Sequence, residues 1–259
     1  MKHLSIPATL LLFAVSVLCA AEVEIKFVVR EDNNPAAWQK LAALKDVKHK
    51  QERVCFFETE TPSLGGAPAN LILRARQKEG ETGDSTVKVR SETDALPSGE
   101  VEKRIVAEED WSDAVKPNIS RSLDWEPLPA GTFEQVMGGK AKAETLFQGP
   151  RQQALIKERN KDLDWNLVRR YGPLTAKVWK KKYHLSDAFP EVTVEDWLLE
   201  RKGANRGVLE LSIKLEDVAP ASVQPKAEEF FKAVQGAGFG LPEDTSKTKL
   251  VIKFYKPGN

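Results

Sequence analysis

The chain is 259 residues long, with 39 Lys plus Arg against 38 Asp plus Glu and a formal net charge of +1. So even a balance creates no global field to gather nucleic acid or an acidic membrane, and any anion site has to come from charge sorted locally along the chain. Two cysteines rule out a disulfide-stapled scaffold, and the length suits one large domain or two small ones.

Lys2 and His3 precede the apolar run from Leu10 to Leu18, and Ala20 and Ala21 follow it. A charged start, a short apolar stretch and a small-residue cleavage site read as a secretory leader over residues 1–21. The run is shorter than the roughly 20 residues of a membrane span. Leu18 stands before Cys19, where a lipid-attachment site wants a small residue. The expectation is an exported protein, periplasmic or secreted, whose single domain occupies 22–259, with no membrane span once the leader is gone. Its 38 basic residues then match its 38 acids, and Cys55 has no intramolecular partner.

From Glu22 the sequence alternates with the period of a strand. Val23, Ile25, Phe27 and Val29 share one face, and Glu22, Glu24 and Lys26 share the other. Asn34-Pro35 before 36–44 has the form of a helix start. Strands are expected at 52–59, at 71–76, where Arg74 and Arg76 oppose Leu71, Leu73 and Ala75, and at 86–90, where Lys88 and Arg90 oppose Val87 and Val89. Another is expected at 101–110. The stretch 112–172 reads as an insertion, with a helix over 151–170 stopped by Gly172-Pro173. Strands follow at 175–183, 191–200, 208–215 and 248–255, interrupted by an amphipathic helix over 223–235 that ends at Gly236. Gly236-Ala237-Gly238-Phe239-Gly240 follows a helix rather than opening one, so it reads as a cap and turn, not a phosphate loop.

Strands without a regular βαβ rhythm indicate an antiparallel α+β arrangement. Alternation of this kind fits a sheet with one wet and one packed face. It equally fits a closed antiparallel β-barrel with a polar lining and helices packed outside. Two carboxylates beside an ammonium suit a metal-and-phosphate site, because Mg²⁺ or Mn²⁺ takes a few carboxylates plus substrate phosphates. Arg74, Arg76, Lys88 and Arg90 would supply the opposing cations.

Glu22-x-Glu24-x-Lys26 resembles the E-x-E-x-K signature of the CYTH proteins, the triphosphate tunnel metalloenzymes. The likeness continues in order through Phe56-Phe57-Glu58-Thr59, Leu73-Arg74-Ala75-Arg76, Thr86-Val87-Lys88, Glu108 with Asp110, Lys177 to Tyr183, Asp196, Glu210 and Ser246-Lys247-Thr248. The resemblance implies an eight-stranded antiparallel tunnel that binds a triphosphate or polyphosphate and uses Mg²⁺ or Mn²⁺. Carried onto this chain, it implies Glu22, Glu24 and Glu210 at the metal, Glu24 and Lys26 in catalysis, and Lys26, Arg74, Arg76, Lys88, Arg90, Lys177 and Lys181 on the phosphates. The activity it implies is metal-dependent hydrolysis of inorganic triphosphate, short polyphosphate or an organic triphosphate. One departure from the family pattern stands out: Glu210-Leu211-Ser212 replaces the usual E-x-E. A hydroxyl is a poor substitute for a carboxylate at Mg²⁺, which opens the alternative of a non-catalytic polyphosphate-binding protein with a degenerate metal site.

Overall fold

The computed structural model describes residues 22–30, 35–41, 48–59, 64–65, 70–91, 105–111, 118–215, 220–243 and 245–256. The expected leader lies outside them. Nine strands and five α-helices are present among the described residues. The strands are β1 (Glu22–Arg30), β2 (Lys50–Thr59), β3 (Leu71–Lys78), β4 (Asp84–Ser91), β5 (Ile105–Trp111), β6 (Asn118–Pro127), β7 (Val168–Tyr183), β8 (Val192–Arg201) and β9 (Ala204–Leu215). The helices are α1 (Pro35–Leu41), α2 (Thr132–Met137), α3 (Pro150–Arg159), α4 (Pro220–Val234) and α5 (Lys247–Tyr255). None of these helices is long and apolar enough to cross a membrane.

The α+β class is as expected. The hydrogen-bonded order is β1-β5-β6-β4-β3-β2-β7-β8-β9, and β9 pairs in turn with β1. Two details depart from the expectation of eight antiparallel strands. The stretch 118–127 supplies β6, bonded between β4 and β5, and β1 runs parallel to β5.

Strand register sorts the side chains onto two faces, since directly opposed residues lie on the same side of a sheet. The apolar face carries Val23, Ile25, Phe27 and Val29 of β1 and Leu209, Leu211 and Ile213 of β9. Helix α4 covers them with Val223, Ala227, Phe230, Phe231 and Val234, a spacing that puts five side chains on one helical stripe. Farther round the same face, Cys55, Phe57, Leu71, Leu73, Val87 and Val89 are covered by α2, α3 and the intervening turn through Phe133, Leu146, Phe147 and Ile156. Buried Gln152 of α3 donates to the Ser85 carbonyl at 3.0 Å, which satisfies a polar edge under that cover.

The other face is mixed. Glu24, Lys26, Ser212, Glu210 and Glu195 share it with Arg74, Arg76, Asp84 and Thr86. Val54, Phe56, Leu174, Ala176, Val178, Trp197, Leu199 and Val208 lie on that same face, packed against Leu250, Val251 and Phe254 of α5. Residues 247–255 are therefore a helix and not the expected strand. Their β-branched and aromatic content favours a strand. Packing of Leu250, Val251 and Phe254 along one helical stripe overrides it, and Ser246 caps the helix by accepting from the Lys249 N–H at 3.4 Å.

The expected helix over 151–170 stops at Arg159, and β7 has begun by Val168. Gly172-Pro173 sits inside β7 beside the shift in register between Val54 and Phe56. Gly172 has φ of 110° there, and a Cβ would meet the Val54 carbonyl at 3.0 Å. Glycine serves here as a bulge residue rather than a helix stop.

Phe230 is fully buried, so Phe230→Ala is expected to cost about 3–5 kcal/mol, read as a lower urea midpoint at unchanged slope. Burial pushes the Cys55 thiol up to about 12, so it stays protonated at neutral pH. Iodoacetamide labelling mapped to the Cys55 peptide should be absent in the folded protein and appear in urea.

Candidate functional site

On β1, Glu24 and Lys26 are two residues apart and therefore neighbours on the mixed face, where Lys26 Nζ lies 2.9 Å from Glu24 Oε2. The parallel ladder registers Glu22 with Glu108 and Glu24 with Asp110. Only the backbones of Glu22, Glu108 and Asp110 are described. On β9, Lys26 faces Ser212, and Ser212 faces Thr193 of β8.

One residue pair farther along, Glu210 is directly opposed to Glu195. Two like charges facing each other across a ladder destabilise it, and here the Glu210 side chain is almost wholly buried. The first residue of α5 resolves the conflict. Lys247 Nζ lies 2.8 Å from Glu210 Oε1, makes a short contact with Glu195 Oε2, and sits 4.2 Å from the centre of the Trp197 ring. The Trp197 indole N–H donates to Glu195 Oε2 at 3.0 Å.

The ionisation of this group follows from that geometry. Burial would raise the Glu195 carboxyl, but the Lys247 charge and hydrogen bond, with the Trp197 N–H, hold it down at about 2. Burial raises Glu210 from 4.5 to about 7; Lys247 opposes the rise and the Glu195 charge adds to it. Burial would lower Lys247, and its two carboxylates outweigh that and raise it.

The basic residues divide by their partners. Arg74, half-buried and opposite Thr86, donates through Nη2 to the Thr86 hydroxyl at 3.1 Å. Its Nε is buried and has no hydrogen-bond partner among the described residues. Arg76 is engaged differently: Nε and Nη2 reach Asp84 Oδ2 at 3.2 and 3.1 Å, and Nη1 lies 3.6 Å from Glu52 Oε2. Lys88 is half-buried and registered between Ile72 and Ser122, and Arg90 is registered with Ser120. The Arg90 and Lys181 side chains lie outside the described part.

Lys177 does not join this face. It is opposed to Asp196 and Gln51, two residues from Trp179, and is exposed on the side carrying the apolar face. The inward positions of that part of β7 belong to Ala176 and Val178, which pack under α5. The alternation of 175–183 gave two equivalent faces, and only the neighbouring strands choose between them. Glu195, Trp197 and the placement of Lys247 are features that sequence reasoning missed. The signal for them was present in the serine cap at Ser246 and in Glu195-Asp196-Trp197, whose odd residues share a face.

The described residues do not fit a divalent metal at Glu210. Ser212 offers a hydroxyl where the family pattern has a second carboxylate, and Glu210 and the opposed Glu195 both engage the Lys247 ammonium. Among the described residues no cluster of three or more His, Cys, Asp or Glu side chains is arranged to hold a metal.

No family model matches this chain, and no curated protein matches it in sequence. Solved structures match its backbone. One is an adenylyl cyclase candidate from Hippeastrum with a dominant triphosphatase activity, with a TM-score of 0.52 and 16% identity, covering 90% of this chain and 96% of that one. Another is an adenylate cyclase candidate from Bacillus halodurans, with a TM-score of 0.51 and 13% identity, covering 89% of this chain and 96% of that one. At these identities the likeness is one of fold, and the fold is of the CYTH, or triphosphate-tunnel, type.

The two shifted carboxyls have opposite consequences for stability. Glu195 is held below its unfolded value, so its contribution is complete above about pH 4.5 and is lost as pH falls toward 2. Glu210 is held above its unfolded value, so the native state binds the extra proton and stability falls as pH rises from 4.5 to about 7. Glu210→Gln removes that second slope. Urea midpoints of the variant relative to the parent should rise across this interval, and a flat difference would show that Glu210 does not titrate there.

Proposed function

We propose that this chain binds a linear triphosphate or short polyphosphate along the mixed face of its sheet, which forms the lining of a tunnel. The observation that carries the reading is Arg74, whose Nε is a buried donor without a protein acceptor among the described residues. A buried, unsatisfied donor on a charged group is costly, and a phosphate oxygen is the acceptor that a guanidinium suits best. Lys88 sits in the adjoining strand on the same face, two residues beyond the partner of Arg74. Lys26 stands on β1 of that face. Arg76 is held by Asp84 and Glu52, and would position the β3–β4 pair while contributing charge at longer range. Binding of this kind is electrostatic clamping, in which the anion would meet the unmet Arg74 donor and share Lys26 with Glu24.

A second reading is hydrolysis of inorganic triphosphate, short polyphosphate or an organic triphosphate, with Mg²⁺ or Mn²⁺. It is favoured by the register of Glu22 and Glu24 against Glu108 and Asp110, which places four acidic residues along one parallel ladder. The triphosphatase activity of the Hippeastrum protein of the same fold supports it as well.

Calorimetric titration of the purified protein with tripolyphosphate separates these readings from their failure. Saturable binding, weakened about tenfold or more in Arg74→Ala as expected for loss of a charge-assisted hydrogen bond, supports the tunnel reading. Phosphate release that needs Mg²⁺ or Mn²⁺ and disappears in Glu24→Ala establishes the hydrolase. Absence of tripolyphosphate binding overturns both.

A further inference from the structure

Glu195 and Glu210 are the acidic pair that this fold sets side by side near the proposed phosphate face, and the chain supplies its own cation to them. We propose that Lys247 is a built-in counter-ion that occupies, permanently, the place at Glu195 and Glu210 where a divalent metal would otherwise be drawn. The inference deepens the triphosphate reading: anion binding at this end of the site proceeds without a metal on Glu210.

Three independent features hold the ammonium in place. It is bound on two sides by carboxylates from adjacent strands and on a third by the Trp197 ring. Such a ring face attracts a cation through its quadrupole and repels an anion. Trp197 is itself fixed by its N–H bond to Glu195 and by packing near Phe56. The backbone that delivers Lys247 is the capped first turn of α5, whose Leu250, Val251 and Phe254 are buried in the mixed face. Withdrawing the ammonium would leave the buried Glu210 carboxylate facing the partly exposed Glu195, so it cannot be exchanged for solvent without cost. The neighbouring position that would complete a metal site is Ser212, buried and neutral. With a neutral hydroxyl at Ser212, this part of β9 carries only one carboxylate of the usual E-x-E, and that one is already paired with Lys247. A divalent ion brought to Glu210 would face a like charge held within hydrogen-bonding distance of its ligand.

The test is a Mn²⁺ titration without phosphate, by electron paramagnetic resonance and calorimetry. It compares the intact protein with Glu210→Gln, Lys247→Met and the double variant Lys247→Met/Glu210→Gln. Intact protein and Glu210→Gln should bind Mn²⁺ alike. Lys247→Met, verified as folded by circular dichroism, should gain Mn²⁺ affinity by about tenfold or more, and the double variant should lose that gain. Mn²⁺ binding by the intact protein that is lost in Glu210→Gln would overturn the inference, and that comparison needs no lysine variant to fold. A folded Lys247→Met with no gain would overturn it equally. Because no phosphate is present, the result is independent of whether tripolyphosphate binds, so failure of the triphosphate reading and failure of this one are told apart.

Discussion

Two glutamates placed opposite each other on neighbouring strands set the terms for this end of the molecule. Glu210 is almost wholly buried and Glu195 partly so, and the two cannot both be ionised there without cost unless a cation reaches them; the register of β8 against β9 holds them opposite each other. Lys247 meets the requirement, which fixes where α5 must begin. Once its first turn is fixed, the next residues of α5 lie over the apolar half of the mixed face, and Leu250, Val251 and Phe254 close over Val54, Phe56, Ala176 and Trp197. An electrostatic constraint and a hydrophobic one thus specify the same docking of one short helix. Either alone would be weaker: a nine-residue helix is marginal by itself, and a buried ion pair is poor evidence for stability unless its surroundings are packed.

Much of the fold could be read from period-two alternation where one face is consistently apolar. β1, β3, β4 and β9 were found within a few residues of their observed ends for that reason. Alternation fails where both faces are covered. On β7 and β8, the α4 side and the α5 side each bury apolar residues, so Lys177 could not be assigned to a face from its spacing. It fails again at 248–255, where strand-favouring residues form a helix because tertiary contacts outweigh local preference. The parallel pairing of β1 with β5 has no local signature at all, because strand direction depends on the path of the intervening chain.

The site was legible to the same degree. Glu24 shares a face with Lys26, and Arg74 with Arg76, because same-side positions within a strand are fixed by spacing alone; strand register brings these pairs and Lys88 onto one face of the sheet. Their partners were not legible, since pairing crosses strands. Arg74 and Arg76 look equivalent in Leu73-Arg74-Ala75-Arg76, yet Arg76 is held by Asp84 and Glu52 while Arg74 has a buried donor with no acceptor among the described residues.

The pairing of β1 with β9 joins residues near Val23 to residues near Leu215. Contacts that distant in sequence are entropically expensive to form and slow to find. During synthesis, β1 must wait for nearly the whole chain before one of its two edges is satisfied. Lys247 lies later still in the chain, so Glu195 and Glu210 have no counter-ion from α5 until residues 247–255 have been made. A chain lacking α5 would carry that pair of charges with no ammonium from Lys247 between them.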